Sequence, residues 1–295
     1  MATLREIKGR IAGVKSTEKI TKAMKMVAAA KLRRAESALF AARPYSWKLS
    51  EMMRHLAANS DLSENKLVAQ REIKSVCIIS VTADRGFCGA FNSNIIKATA
   101  TQVREGYRDG GFSGTPKLIP IGKKGYDFFM KRKFEVMRGY PGIFHDLTIA
   151  TAKRIVADIV RDYMDGSIDR VDIVYNEFKS IIHQRLVTEQ FLPIPKETVS
   201  PSEKKFELEY IYEPGMDAIL DTLLPRHLEY QMWRILLESN AAGEGARMAA
   251  MDNASENAGE LISSLSLQYN KARQASITKE LLEVVSGAEA LRALS

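Results

Sequence analysis

LREIKGRIAGV, residues 4–14, sets apolar side chains at Leu4, Ile7, Ile11 and Val14. This 3-4-3 spacing puts all four on one stripe of an α-helix and marks the seam of a coiled coil. Farther along, the same register meets Glu18 and Thr21, while Ile20, Met24 and Val27 lie on a shifted stripe. The seam is therefore expected to drift or widen so as to face more than one neighbour, unlike a simple dimeric zipper. The Ala-rich run AAAKLRRAESALFAA (28–42) favours helix strongly and permits another helix to approach closely. Pro44 is expected to kink the helix locally, with apolar residues resuming at Trp47, Leu49, Met52, Met53 and Leu56. A helix over residues 1–57 would span roughly 85 Å and needs a partner.

The partner candidate lies at the other end of the chain. After Tyr212-Glu213-Pro214-Gly215 the apolar pattern is helical at Met216, Ile219, Leu220, Leu223, Leu224, Leu228, Met232, Ile235 and Leu236, and again at Leu261, Ile262 and Leu265. Only Pro225 interrupts it. Such a helix reaches about 110 Å, so antiparallel pairing would leave its C-terminal end overhanging by roughly 25–30 Å. On that overhang Ile277, Leu281, Leu282, Val284, Val285, Ala288 and Leu291 cover an arc of roughly 180°. An apolar face so broad, on a helix with no intramolecular partner, implies a pocket supplied by another protein.

Between these helices the period changes from helical to alternating. SVCIISVT (75–82), KLIPIG (117–122), VDIVYNEF (171–178), RLVTEQFLP (185–193) and FELEYIY (206–212) read as strands, and helical stretches near 91–105, 123–132 and 147–165 separate the earlier ones. This order implies a mostly parallel sheet with helices on its faces, closed by an antiparallel hairpin-like run. The polar segments 59–73 and 196–205 read as linkers. The expected fold class is thus mixed α+β and α/β: a long antiparallel two-helix coiled coil from the N- and C-terminal segments plus a central Rossmann-like α/β domain. The expected domains are an N-terminal coiled-coil helix over 1–58, the α/β domain over 59–213 and a C-terminal coiled-coil helix over 214–295.

Composition narrows the function classes. With 45% hydrophobic residues the chain can bury a sizeable core, and no stretch approaches the ~20 apolar residues of a membrane span. The start, MATLREIKGR, lacks the apolar core of a secretory signal, so a cytoplasmic or peripheral protein is expected. Cys77 and Cys88 form no CxxC pair, and His55, His145, His183 and His227 are scattered, so neither a metal site nor a catalytic triad is expected, and no cofactor. Charge is concentrated at one end: residues 1–57 hold thirteen basic residues against four acids, and the rest of the chain is slightly acidic. A basic stripe of this kind faces nucleic acid, an acidic protein surface or solvent.

The most enzyme-like feature is TADRGFCGAFN (82–92), placed after a strand and before a helix, where anion-binding loops occur. Its glycines stand at Gly86 and Gly89 only, without GxGxxG or a following Lys-Ser/Thr, and a tight strand-to-helix turn is the better reading. Asp84 and Arg85 are expected to form at most a weak local ion pair.

Four segments together resemble the gamma subunit family of F-type ATP synthases. They are STEKITKAMKMVAAAKLRRAE (16–36), the TADRGFCGAFN loop, ARMAAMDNASENA (246–258) and YNKARQASITKELLEVVSGAEAL (269–291), in the family's order and covering roughly a third of the chain. The resemblance implies a non-catalytic rotor shaft standing in a ring of alpha and beta subunits, with the apolar overhang in the ring's sleeve and the basic first helix facing acidic segments of the beta subunits. It also implies contact with the epsilon subunit and the c-subunit ring, no nucleic acid, membrane contact only through the c ring, and a place on the cytoplasmic face of the bacterial cell membrane.

Residue by residue, Arg273, Gln274 and Thr278 match family positions that hydrogen-bond the beta subunits. Lys22, Met24 and Lys25 match the mid-shaft region near an acidic beta loop, Arg247 matches the Arg of the family's ARM motif, and Leu281 and Val285 belong to the overhang; the resemblance implies that all of these contact the alpha or beta subunits. Tyr210, Tyr212 and Glu213 match the segment beside epsilon and the c ring. One departure stands out. The family usually carries a Ser-Glu pair where this chain has Ala242-Gly243, followed by Glu244 and Gly245. The two glycines would soften the shaft or admit close contact with the first helix. The chain also lacks the cysteine-bearing insertion of photosynthetic relatives, so thiol regulation is not expected. Two other functions stay open at this level: an α/β enzyme binding nucleotide at the 82–92 loop, and a coiled-coil nucleic-acid binder with salt-sensitive affinity.

Overall fold

The computed structural model describes residues 3–59, 65–107, 112, 114–181, 183–195 and 215–293. Helix α1 spans Leu4–Asn59 and helix α5 spans Met216–Ala293. Between them come β1 (Val76–Val81), α2 (Phe91–Glu105), β2 (Lys117–Ile121), α3 (Lys123–Lys131), a 3-10 turn at Ile143–His145, α4 (Ile149–Met164), β3 (Arg170–Phe178) and β4 (Gln184–Leu192). The four strands and the helices between them match the expected alternation, and α1 continues through Pro44 without a break. The expected strand at 206–212 lies outside the described residues.

By packing, the chain divides into two compact units, one of Met1–Val27 with Met248–Ser295 and one of Ala28–Arg247. These boundaries fall inside α1 and α5, not at their ends.

In the larger unit the sheet order is β2-β1-β3-β4. β1 pairs parallel with β2 and β3, and β3 pairs antiparallel with β4, so the closing hairpin is present as read. All six residues of β1 are buried, as a central strand covered on both faces requires. Alternation then assigns the faces. Cys77, Ile79, Val81, Ile119, Ile121 and Ile173 share one core with Ile155, Ile159 and Tyr163 of α4 and with Leu224, Leu228, Met232, Ile235 and Leu236 of α5. On the other face the Thr99 hydroxyl of α2 donates to Ser80 Oγ at 3.0 Å. The first half of α5 is thus a core helix of the α/β unit rather than one strand of a free rod, and Met53 of α1 joins the same core.

Of the segment read as a linker at 59–73, the described residues 65–73 are drawn in. Leu67 and Val68 are buried, and the Ile194 N–H donates to the Leu67 carbonyl at 2.8 Å. Arg71 lies over the Tyr163 ring and pairs with Asp169 at 2.8 Å. Two apolar residues in a polar run carry too little periodicity to betray this burial.

Gly243 and Gly245 of α5 face the α/β unit. A Cβ at Gly243 would meet the Phe91 ring at 3.5 Å, and one at Gly245 the Phe178 ring at 3.5 Å, both ordinary contacts. Gly245→Ala is therefore expected to stabilise this unit by about 0.5–1 kcal/mol through the lost backbone entropy of glycine, whereas Gly245→Leu should destabilise it. Urea unfolding followed by the fluorescence of Trp47 and Trp233 measures both.

His227 of α5 is buried with Nε2 unpartnered, and its pKa is pushed down to about 4, first by burial and then by the Arg234 charge. Depression from 6.5 means that the unfolded chain binds the proton that the folded chain refuses. The associated stability is present above pH 6.5 and lost as pH falls toward 4. Between pH 7.5 and 5 the loss is expected to be about 2 kcal/mol, and His227→Leu should remove it in the same fluorescence-detected unfolding.

Candidate functional site

In the smaller unit, two cross-helix contacts set the pairing of α1 with α5. Thr21 Oγ1 and Ser255 Oγ are 2.7 Å apart and buried, and Lys25 Nζ donates to Asp252 Oδ1 at 2.5 Å. Partner numbers fall as α1 numbers rise, so the helices are antiparallel. The same register sets Leu4 level with Ala272, so α5 continues past the described end of α1.

The buried and half-buried positions of α1 here are Leu4, Ile7, Ile11, Val14, Glu18, Thr21, Met24 and Lys25, a 3-4 alternation that Met24 widens. On α5, Met251, Ser255, Ala258 and Leu265 are buried and Ile262, Tyr269 and Ala272 half-buried, again at heptad spacing. Of the shifted stripe, Met24 widens the seam while Ile20 and Val27 stay outside it. The seam keeps its register and changes chemistry, with Thr21–Ser255 and Lys25–Asp252 filling positions that apolar residues hold elsewhere. The displaced apolar side chains stand in solvent: Ile20 is 57%, Met26 66% and Val27 58% exposed. The signal was in the sequence as Ser255 at a heptad position of the second helix and Asp252 beside the heptad position of Met251, but polar seam residues are invisible to a search for apolar periodicity.

The residues singled out by resemblance divide between the units. Lys22 is exposed and paired with Glu18 on its own helix at 2.6 Å, Met24 is half-buried, and Lys25 is tied to Asp252. Arg273, Gln274 and Thr278 are exposed, as are Leu281 and Val285. From Ile277 to Gly287 every side chain is exposed, which realises the apolar overhang as far as the description reaches. Tyr210, Tyr212 and Glu213 lie outside the described residues.

Arg247 belongs to the larger unit and is turned inward, only 9% exposed. Its Nε donates to the Gly86 carbonyl at 3.2 Å and its Nη2 to the Arg85 carbonyl at 3.4 Å, while Nη1 pairs with Glu244 at 2.6 Å. The 82–92 loop is organised around Asp84, which forms no local pair with Arg85 but accepts the backbone N–H groups of Lys123, Gly142 and Phe144 at 2.8–2.9 Å. A carboxylate at the start of α3 also suits the positive end of that helix. Asn92 accepts the Ala83 N–H at 2.9 Å and donates to Cys88 Sγ at 3.1 Å. Burial pushes the Cys88 thiol up, as it does the core thiol of Cys77, which keeps both from the thiolate form. A fixed carboxylate thus satisfies the amides that converge beyond the ends of β1 and β2. Among the described residues, no group of His, Cys, Asp and Glu is arranged to hold a metal ion.

These features coincide with a shared ancestry that extends over the chain. A family model described as ATP synthase matches residues 3–291. The chain is 52% identical over 292 residues to the ATP synthase gamma chain of Chlorobium chlorochromatii and 50% identical over 300 residues to that of Chloroherpeton thalassium, with 99% of both chains covered in each case. The chain belongs to the ATP synthase gamma chain family. Among solved structures, this gamma chain superposes with a TM-score of 0.67 at 21% identity on a chain of the Euglena gracilis mitochondrial ATP synthase, covering 98% of this chain and 95% of that one. A chain of the Tetrahymena thermophila mitochondrial ATP synthase central stalk and c-ring structure matches at TM-score 0.59 and 25% identity, over 80% of this chain and 99% of that one. The Euglena likeness speaks for the fold alone.

The polar seam of this gamma chain makes a local prediction. Thr21→Val and Ser255→Ala each remove the cross-helix hydrogen bond while the remaining hydroxyl keeps a backbone acceptor, the Met251 or the Glu18 carbonyl, so each should cost about 1 kcal/mol and the double substitution little more than either single change. Hydrogen exchange of the amides around 18–25 and 252–258 in the full chain reads this directly.

Proposed function

We propose that this gamma chain is the central rotor shaft of an F-type ATP synthase, coupling proton flow through the membrane c ring to conformational change in the catalytic beta subunits. The observation that carries the reading is the tip of α5. Ile277, Leu281, Leu282, Val284 and Val285 are 50–70% exposed on a helix that has outrun its partner, which suits a foreign apolar sleeve. The alpha and beta subunits of the ring supply it. The same ring meets the outward apolar side chains Ile20, Met26 and Val27, with Lys22, Met24, Lys25, Arg273, Gln274 and Thr278 as polar contacts along the shaft. Tyr210, Tyr212 and Glu213 meet the epsilon subunit and the c ring.

The chain itself is non-catalytic. A shaft biases a nucleotide site only by touching open and closed beta subunits differently, so the asymmetry of two unlike helices does the work, and no residue of the shaft need touch the reacting phosphates. Among the described residues no helix is long and apolar enough to cross a membrane, in keeping with a peripheral position on the cytoplasmic face of the bacterial membrane, held there through the c ring. Nucleic acid is no partner.

Co-expression with alpha and beta subunits tests the reading: the chain should co-purify with them, and Leu281→Asp/Val285→Asp should weaken the association about tenfold or more. Those side chains are exposed, so circular dichroism of the isolated variant should be unchanged. Unaltered association of the double variant would overturn the sleeve assignment.

A further inference from the structure

Glu238 of α5 is 5% exposed, and its Oε2 meets no hydrogen-bond partner. Burial pushes its carboxyl up, against the pull of the Arg234 charge. A buried carboxylate left half-satisfied is less favourable than an apolar side chain of similar size, so its presence calls for a reason other than stability. What Glu238 does touch is Arg234, one turn earlier on the helix, whose Nη1 donates to Glu238 Oε1 at 3.3 Å. The other arm of that guanidinium leaves the helix: Nη2 donates to Glu189 Oε1 of β4 at 3.4 Å. Gln231 Nε2 donates to the same oxygen at 3.4 Å, and the Tyr175 hydroxyl of β3 donates to Glu189 Oε2 at 3.4 Å. The neighbouring carboxylate, Glu177, is served separately by Lys179 and Arg185, each at 2.8 Å. One guanidinium is thus shared by two carboxylates, one on the long helix and one on the sheet.

Position in the chain gives this bridge a mechanical meaning. β4 ends at Leu192 and α5 begins at Met216, and the stretch between them carries Tyr210, Tyr212 and Glu213, which meet the epsilon subunit and the c ring on the rotor-shaft reading. Load from the c ring therefore enters between β4 and α5 and acts on both. β4 stands at the edge of the described sheet. Phe191 and Leu192 share a core with Leu228, Met232 and Ile235 of α5, an apolar contact that opposes separation but has no directional preference with which to oppose sliding. Hydrogen bonds are directional and weaken when sheared. Arg234 stands about 27 Å along α5 from its first residue, so it ties strand to helix well beyond the point where load arrives.

We propose that Arg234 is a positioning residue of the rotor: braced by Glu238, it locks β4 to α5 through Glu189, so that twisting load reaching the α/β unit turns the shaft helix instead of sliding the sheet across it. The proposal rests on the rotor-shaft reading and adds to it the place where torque passes from sheet to shaft. Glu238 is kept at a buried position because it fixes the direction of a guanidinium whose planar fork reaches both carboxylates at once.

Replacing Arg234, Glu189 and Glu238 together by Met separates this role from stability. Apolar replacement of such a group folds as well or better, so the urea midpoint of the full chain should stay level or rise. Torsional stiffness should nonetheless fall about twofold, as directional contacts give way to apolar ones. It is read in complexes held to a surface through the beta subunits, from the angular fluctuations of a bead attached at Lys97→Cys on the exposed face of α2, between ATP-driven steps. The milder Arg234→Gln should show the same loss, and adding Glu189→Gln to it should lower stiffness no further. Leu228→Ala, which thins the apolar core and leaves the bridge intact, should lower the urea midpoint without softening the shaft. Failure of the unsubstituted chain to assemble with alpha and beta subunits would remove the rotor reading and this proposal with it. Assembly with stiffness unchanged in the triple variant and in Arg234→Gln, or an equal softening in Leu228→Ala, would overturn the proposal alone.

Discussion

Thr21 against Ser255 and Lys25 against Asp252 determine which residue of α1 stands opposite which residue of α5. An apolar seam alone tolerates sliding by a heptad, since leucine and isoleucine layers are nearly interchangeable, whereas a buried hydroxyl displaced by seven residues loses its cross-helix partner and a lysine loses its carboxylate. With the register settled, the lengths of the helices decide the rest. The first turn of α1 runs out near Ala272, and everything on α5 beyond it is left to a partner. The overhang is the remainder of a pairing whose register is set by polar groups in the middle.

The same polar seam explains why the middle of the unit is turned partly inside out. Positions that face the partner helix hold Glu18, Thr21 and Lys25, and the apolar side chains Ile20, Met26 and Val27 are directed outward. For a shaft that turns within a ring, this is a coherent division. Apolar contact is non-directional and gives similar energies at neighbouring angles, while directional hydrogen bonds between the helices keep them from separating. In the α/β unit the roles are distributed otherwise. Ordinary apolar burial holds α4 and the first half of α5 on the sheet, and polar groups shape one loop.

That loop shows how a sheet built like a nucleotide-binding one comes to serve another purpose. Doubly wound sheets offer a crevice beyond the carboxyl ends of their strands. Here Asp84 satisfies amides around that crevice with a negative charge of the chain's own, α5 passes over it, and the Ser239 hydroxyl donates to the Val81 carbonyl at the strand end. Electrostatics and volume both leave the site better suited to presenting a surface than to receiving phosphate.

By itself, the sequence determined the two long helices, the order of the four described strands, the antiparallel closing hairpin and the apolar end of α5, because each is written in short-range periodicity. It also carried the family in four separated segments. The tertiary structure alone decided what depends on partners distant in sequence. Glu18, Thr21 and Lys25 interrupt the apolar pattern, and only the pairing with residues more than two hundred positions away reveals them as seam. Arg247 reads as one more exposed helix arginine until the carbonyls of Arg85 and Gly86 are found beside it, and Asp84 reads as the neighbour of Arg85 until three amides from other loops converge on it. Periodicity records which face of an element is buried, not which polar group waits on the other side, and that is settled only when the chain has folded back on itself.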